Sequence, residues 1–329
     1  MSDIEVIGLG ALNIDHFYRV ERILNDGETV VEETESFPGG SAANTIYGLA
    51  KLGVRAGFAG IVGDDAEGKI LLEDFQKVGV DTSQIRVKHG AKTGSTLCLS
   101  DRLGRRSLYI IPDANNLLNM DDLNLPYLNQ ARMLHISSFA DEEQFKMLLE
   151  LLNKLDSSIK ISFSPGALYA TKGIKALNII LAKTYLLFVN RDEIRQLTAK
   201  DVIAGARSCI EQGCHIVVVT LGEGMRLEAY KGDSHRATTA TCYIREAENE
   251  YVIEPLSQNT VSKIDTTGAG DAFAAGFLYG LLKGKRLEEC GYLGDIIARL
   301  VITKLGTRQS LPTFNQLAHR YRELYKEEL

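Results

Sequence analysis

The sequence has no excess of basic residues: 37 Lys and Arg face 43 Asp and Glu, a formal net charge of −6. With no basic region set apart, a nucleic-acid-binding surface is not expected. The five cysteines, Cys98, Cys209, Cys214, Cys242 and Cys290, are odd in number and never spaced Cys-x-x-Cys. That scatter reads as reduced thiols in a cytoplasmic protein and argues against a disulfide framework. The six histidines are isolated, with no His/Cys cluster to hold zinc. No uncharged apolar run approaches the ~20 residues of a membrane span. The opening Met1-Ser2-Asp3-Ile4-Glu5 lacks the basic flank of a signal peptide. Repeats, low-complexity tracts and composition breaks are also missing, so one α/β domain over 1–329 is expected.

What is present is ordinary globular material, 45% hydrophobic and 24% charged. An acidic protein that binds a phosphate-rich ligand must concentrate positive potential locally, through backbone N–H groups, a few basic side chains or a metal. Residues 4–9 read as a buried strand. The stretch 16–37, with its Asn25-Asp26-Gly27 turn, reads as a hairpin-like excursion. Ala42, Ala43, Ile46, Leu49 and Ala50 recur at helical spacing and are closed by Gly53, before a strand over 55–62 and a helix over 67–78. Residues 92–112 read as two strands joined at Asp101-Arg102-Leu103-Gly104. From about 131, strands (133–137, 160–163, 185–189, 215–220) alternate with helices (142–155, 173–183, 199–212). An irregular β-rich stretch (225–264) and three helices (270–282, 287–304, 314–326) follow. Alternation of this kind predicts a doubly wound, mostly parallel sheet with helices on both faces. The excursions 16–37 and 92–112 would join as a small β lid over its carboxyl edge, where open α/β sheets bind ligands.

The strongest chemical signal is Asp265-Thr266-Thr267-Gly268-Ala269-Gly270-Asp271, running into the apolar helix Ala272-Phe273-Ala274-Ala275-Gly276-Phe277. Small residues let consecutive N–H groups approach an anion, and a helix N-terminus adds about +0.5 charge. A carboxylate beside such a hole repels what the hole attracts, unless it accepts a proton from an attacking hydroxyl while the N–H groups hold growing phosphoryl charge. Capping of the helix by Asp271 is the plainer alternative. No Gly-Lys-Ser/Thr occurs, so this is not a Walker loop. Gly8-Leu9-Gly10-Ala11-Leu12-Asn13 hints at a dinucleotide turn, with Glu32 and Glu33 further on. It lacks the third glycine, and no helix follows it.

These segments together resemble the ribokinase-like (PfkB) carbohydrate kinases. The residues 265–278 are similar to that family's C-terminal signature, and Gly39-Gly40-Ser41-Ala42-Ala43-Asn44 to its N-terminal one. Asn25-Asp26-Gly27-Glu28-Thr29, Gly60-Ile61-Val62-Gly63-Asp64-Asp65 with Gly68, Gly79-Val80-Asp81 and Asn190-Arg191-Asp192-Glu193 agree in the family's order. The resemblance implies a ribokinase-like fold and phosphoryl transfer from ATP (or ADP) to a sugar hydroxyl. It implies Asp271 as catalytic base, with Gly268, Ala269 and Gly270 N–H groups stabilising the transition state. Asn13, Asp15, Gly39, Gly40 and Asn44 would hold the acceptor; Asn190, Thr220, Gly222 and Gly270 the nucleotide; and Glu193 would position Mg2+, through water or directly. Asn190 and Glu193 also have the spacing of a helix capping box. Asp265, Thr267, Val301, Gly306 and Ser310 resemble a monovalent-cation (K+) loop.

Two departures stand out. The family's Thr-x-Gly-x-x-Gly reads Thr220-Leu221-Gly222-Glu223-Gly224, its second glycine one residue early, and Ser164 stands where Asp usually precedes Pro165-Gly166. Thr93-Gly94-Ser95 and Pro112-Asp113-Ala114-Asn115-Asn116 resemble the lid and floor of free-sugar kinases, whereas 306–312 is similar to archaeal nucleoside kinases. Arg102, Arg105 and Arg106 form either a solvated turn or a grip on a phosphate already carried by the acceptor. Nucleoside kinase, sugar-phosphate kinase and an inactive ligand-sensing protein of the same fold therefore stay open beside sugar kinase. A homodimer through the lid is a further expectation.

Overall fold

Consecutive residues of the central strands are buried in two different cores. Leu187 and Val189 pack on one side, Leu186 and Phe188 on the other; Val217 and Val219 alternate with Ile216 and Val218 in the same way. A strand buried on both faces needs a continuous apolar run, which is what these segments carry. The computed structural model describes residues 4–102, 105–231, 234–255, 263–326 and 328–329. Its strands are β1 (Val6–Leu9), β2 (Asn13–Val20), β3 (Val31–Gly39), β4 (Ala56–Gly63), β5 (Asp81–Lys88), β6 (Gly94–Asp101), β7 (Arg106–Ile111) and β8 (Met133–Ser137). They continue as β9 (Lys160–Ser164), β10 (Thr184–Asn190), β11 (Ile216–Lys231), β12 (Ser234–Glu246) and β13 (Asn249–Ile253).

The main sheet runs β13-β12-β11-β10-β9-β8-β1-β4-β5. It is parallel from β11 to β5, with β12 and β13 added antiparallel at one edge. Strand order reverses at β1, which lies between β4 and β8, and that reversal makes the crevice of a doubly wound sheet. The second sheet, β3-β2-β6-β7, is built from the two excursions, with β2 and β6 parallel at its centre. Because β2 starts four residues after β1 ends, the lid is tied to the reversal point by a short connection.

Three expectations need correction. The helix over 173–183 is two short helices, Gly173–Ala176 and Asn178–Lys183, parted at Leu177 (φ −94, ψ 2) and preceded by a further short one, Gly166–Ala170. The helix over 199–212 starts later, at Val202, and runs to Glu211, because Ala199 turns left-handed at φ 57 and closes the preceding helix Arg191–Thr198. The irregular stretch 225–264 is largely a regular ladder between β11 and β12, continued by β13; residues 232–233 and 256–262 lie outside the described residues, as do Leu103 and Gly104.

The helix Ala269–Leu282 packs along Leu287–Val301 through glycine. A methyl at Gly276 would stand 2.6 Å from the Leu293 carbonyl oxygen and 2.9 Å from Gly294 Cα, both backbone atoms. We expect Gly276→Ala to destabilise the protein by about 1–3 kcal/mol, the usual cost of overpacking. Urea unfolding measures it, and a change below about 0.5 kcal/mol would mean the two helices part freely.

Candidate active site

The helix Ser41–Lys51 begins at the point where strand order reverses. Gly40 precedes it at φ 95, against the Ala11 carbonyl that a side chain would strike, and Ala42 N–H donates to Ser137 Oγ (3.2 Å) at the end of β8. No acidic residue lies in its first turn, and no side chain caps Gly40. Its polar residues turn toward a second helix N-terminus instead.

That second terminus is the Gly-rich turn. Gly268, at φ 76, leads into Ala269–Leu282 with no side-chain cap. Ala269 N–H donates to Thr266 O (3.3 Å), which leaves the N–H groups of Gly268, Gly270 and Asp271 without a protein acceptor among the described residues. A methyl placed on Gly270 would meet nothing within 4 Å, so open space lies over these donors. The half-buried Asp271 carboxylate is held from the first helix: Ser41 Oγ donates to Oδ1 (2.7 Å) and Asn44 Nδ2 to Oδ2 (2.8 Å). Burial pushes its pKa up to about 6, against the opposing pull of Asn44, Ser41 and the Arg308 charge.

The lid base adds a second carboxylate. Asn13 and Asp15 sit two apart on β2, on one face of the lid's central strand, and both are buried. Asp15 is pushed to about 7 by desolvation; Thr96 and Arg308 oppose that shift, and the charges of Asp271 and Asp265 add to it. Gly39 is required here because a side chain would overlap the Asp15 carboxylate. Asn13 Oδ1 accepts from Asn115 Nδ2 (2.9 Å), and Asn115 also bonds the Leu12 N–H (2.9 Å) and carbonyl (3.1 Å). The floor residue thus fixes the Asn13 amide.

On the far side, Asn190 and Glu193 make the capping box that their spacing allows. Asn190 Oδ1 accepts from the Asp192 and Glu193 N–H groups, and Glu193 Oε2 from the Asn190 N–H, all at 2.9 Å. Glu193 is pushed up by desolvation and by the charges of Asp271 and Asp192. Since Asp271 and Glu193 bear on one another, a divalent cation between phosphates near them would relieve the crowding. Among the described residues no group of three His, Cys, Asp or Glu could cage a metal. The donor set therefore fits a Mg2+ that keeps water and phosphate ligands, as Mg2+ usually does. Thr220 ends the regular part of β11, and the ladder resumes only at Met225. The excess residues bulge out, with Gly222 at φ 62 and Gly224 at φ 118, so the early second glycine serves a bulge of this chain's own.

The K+ residues are brought together in part. Asp265 Oδ1 accepts from Thr267 N–H (2.9 Å) and Thr267 Oγ1 (2.7 Å), and Oδ2 from Gly306 N–H (3.3 Å). Val301 is fully buried, and Ser310 Oγ is buried without a hydrogen-bond partner among the described residues. The arginine turn does not act as one cluster. Arg102 pairs with Glu32 (2.7 Å) and Arg105 with the buried Asp101 (2.7 Å). Only Arg106 reaches the Gly-rich turn, donating to Thr267 Oγ1 (2.7 Å) and Asp265 Oδ1 (3.4 Å).

With this geometry in view, the chain matches the pfkB family carbohydrate kinase pattern over residues 1–314. It belongs to the PfkB family of carbohydrate kinases. An uncharacterised sugar kinase of Archaeoglobus fulgidus is 36% identical over 266 residues, covering 80% of this chain and 98% of that protein. A ribokinase of Haemophilus influenzae is 24% identical over 314 residues, covering 93% and 94%. The ribokinase of Thermotoga maritima shares the fold with a TM-score of 0.79 at 24% identity, over 98% of this chain and 100% of that one.

Three residues of this kinase's site escaped the sequence reading: Ser41, Asn115 as the partner of Asn13, and Arg308. Ser41 lay inside the quoted N-terminal motif, and its spacing from Asn44 puts both on one helix face, a signal that was there to use. Asn115 and Arg308 lay inside the stretches 112–116 and 306–312, but their partners Asn13 and Asn44 are 102 and 264 residues away, and nothing local announces those pairings. For the site as a whole, kcat/KM is expected to fall as the pH drops through about 6–7, because the raised carboxylates Asp271 and Asp15 protonate there. Ser41→Ala removes a bond to the ionised carboxylate and moves this acid limb to higher pH. A pH–rate profile reads both, and a limb lying below pH 5 would contradict the assignment.

Proposed function

We propose that the protein transfers the γ-phosphoryl group of ATP to a hydroxyl of a free sugar, with Asp271 as general base. The observation that carries this is the Asp271 carboxylate, held by Ser41 and Asn44 beside the uncapped start of Ala269–Leu282 and coupled in charge to Asp15 at the lid base. Asn13, Asp15 and the Gly39-Gly40 backbone hold acceptor hydroxyls. The reacting hydroxyl gives its proton to Asp271 as its oxygen attacks phosphorus. Charge building on the phosphoryl oxygens meets the N–H groups of Gly268 and Gly270 and the helix N-terminus. Asn190, Thr220 and Gly222 line the nucleotide. When bound with it, Mg2+ neutralises phosphate charge, and Glu193 is the side chain that would hold it.

A free sugar is favoured over a sugar phosphate because all three guanidiniums of the lid turn are engaged, by Glu32, Asp101, and Asp265 with Thr267. K+ at Asp265, Thr267, Val301, Gly306 and Ser310 is part of the proposal, supported by the Ser310 hydroxyl, which has no hydrogen-bond partner among the described residues. So is a homodimer through the lid. β7 pairs only with β6 among the described residues, and its Leu108, Tyr109, Ile110 and Ile111 are exposed.

Asp271→Asn should lower kcat by ~10²–10⁴-fold with little change in folding. Near-normal turnover in that variant would remove Asp271 as the base. With ATP and Mg2+, a panel of pentoses, hexoses, sugar phosphates and nucleosides should show a free sugar turned over best. Turnover confined to nucleosides or to sugar phosphates would overturn the acceptor assignment. Light scattering should give twice the chain mass, falling to the monomer in Ile110→Lys; a monomeric wild type would sink the lid interface.

A further inference from the structure

Arg308 is a buried guanidinium, 4% exposed, which lies between Gly306 and Ser310 and to which no role is assigned above. Its fork reaches three elements. Nε donates to Asn44 Oδ1 (2.9 Å), Nη1 to Asp74 Oδ2 (2.8 Å) on the helix Ala66–Lys77, and Nη2 to the Gly39 carbonyl (2.9 Å). The faces of Tyr47 and Phe75 lie about the same group, their centroids 5.0 and 5.3 Å from Cζ. Burying a cation this deeply is costly unless carboxylates pair with it, and among the described residues Asp74 is the one that bonds it directly. The other two of its three bonds go to residues that border the reacting centre.

The bond to Asn44 has a directional consequence. A carboxamide can turn end for end, and only one sense presents the NH2 group to Asp271. Thr307 Oγ1 lies 3.0 Å from Asn44 Oδ1 and 3.2 Å from Pro38 O, so its hydroxyl can turn to either. Arg308 has donors alone. Flipping Asn44 would set an NH2 group against the guanidinium and an oxygen against the Asp271 carboxylate, two unfavourable contacts in a low-dielectric site. The charge matters as well as the fork. Asp15 on β2, Asp271 on its helix, Glu193 at the start of Arg191–Thr198 and Asp265 before the Gly-rich turn bear on this region; Asp74 and Tyr47 face Arg308 from outside it. The Arg308 charge pulls downward on both Asp15 and Asp271.

We infer that Arg308 is a positioning residue for phosphoryl transfer, which fixes the Asn44 amide so that its NH2 group faces Asp271 and supplies buried positive charge among the site's carboxylates. This rests on Asp271 being the base.

The test compares Arg308→Met, which keeps the stem and loses the charge, with Arg308→Lys, which keeps the charge and loses the fork. Each is assayed across pH with ATP, Mg2+ and the sugar that the wild type turns over best. Arg308→Met should lower kcat by about 10²-fold, the scale of a misplaced reacting group, with KM for the sugar changed far less. Its acid limb should move to higher pH by at least about half a unit, because the raised carboxylates lose a stabilising charge. Arg308→Lys should leave the limb near its wild-type position while kcat stays depressed. Where Arg308→Met does not fold, the Asp74→Asn/Arg308→Met pair removes both charges together and should show the same shift. A folded variant of either kind with wild-type kcat and an unmoved limb would overturn the role. Asp271→Asn runs in parallel: its near-normal turnover would overturn both readings, whereas its loss of turnover beside an unaffected Arg308→Met would overturn this one alone.

Discussion

The bond from Asn44 Nδ2 to Asp271 Oδ2 joins the N-termini of two helices at the carboxyl edge of the sheet. Each terminus carries partial positive charge and N–H groups that need acceptors, so bringing two together is unfavourable unless something negative lies between them. Asp271 is that group in the structure. Its carboxylate is held between the two termini by Ser41 and Asn44, and the open space over Gly270 leaves room for more negative charge. In the proposed reaction, a phosphate-bearing ligand fills that space and supplies the negative charge the two termini call for.

On the other side the balance is reversed. Asp15, Asp271, Glu193 and Asp265 crowd one region, and burial is the largest cause of the upward shift of the first three. The crowd persists because each carboxylate has donors of its own: Ser41 and Asn44 on Asp271, Thr96 on Asp15, the Asn190 N–H on Glu193, and Thr267 with Gly306 on Asp265. Arg308 is a buried cation whose charge acts on Asp15 and Asp271 while its bonds go to Asn44, Asp74 and the Gly39 carbonyl. A weakly acidic protein thus concentrates opposing charges within one crevice while its net charge stays small.

Much of this was legible along the chain. The alternation of apolar strands with amphipathic helices fixes a parallel sheet, because such strands cannot face water on either side. Asp265–Asp271 reads as an anion turn from residue size alone, and Asn190 with Glu193 reads as a capping box from spacing. Errors fell where backbone conformation overrode periodicity. Leu177 parted a helix whose side-chain pattern ran straight through it, Ala199 delayed the start of another, and β11 and β12 formed a ladder where irregular structure was expected. The Arg102, Arg105 and Arg106 group was adjacent in sequence yet parted in space, since neighbouring side chains on a turn point apart.

The sequence by itself determined the family's chemistry: which residues can form an anion hole, which carboxylate stands beside it, and that strands and helices alternate around it. These are local properties, written in residue size, charge and spacing over a few positions. Tertiary structure decided which way each polar group points. Asn44 is directed at Asp271 by an arginine 264 residues away, and Asn13 is fixed by Asn115 across the lid base. No local pattern encodes those pairings, because hydrogen-bond direction depends on partners that only the folded chain brings within 3 Å.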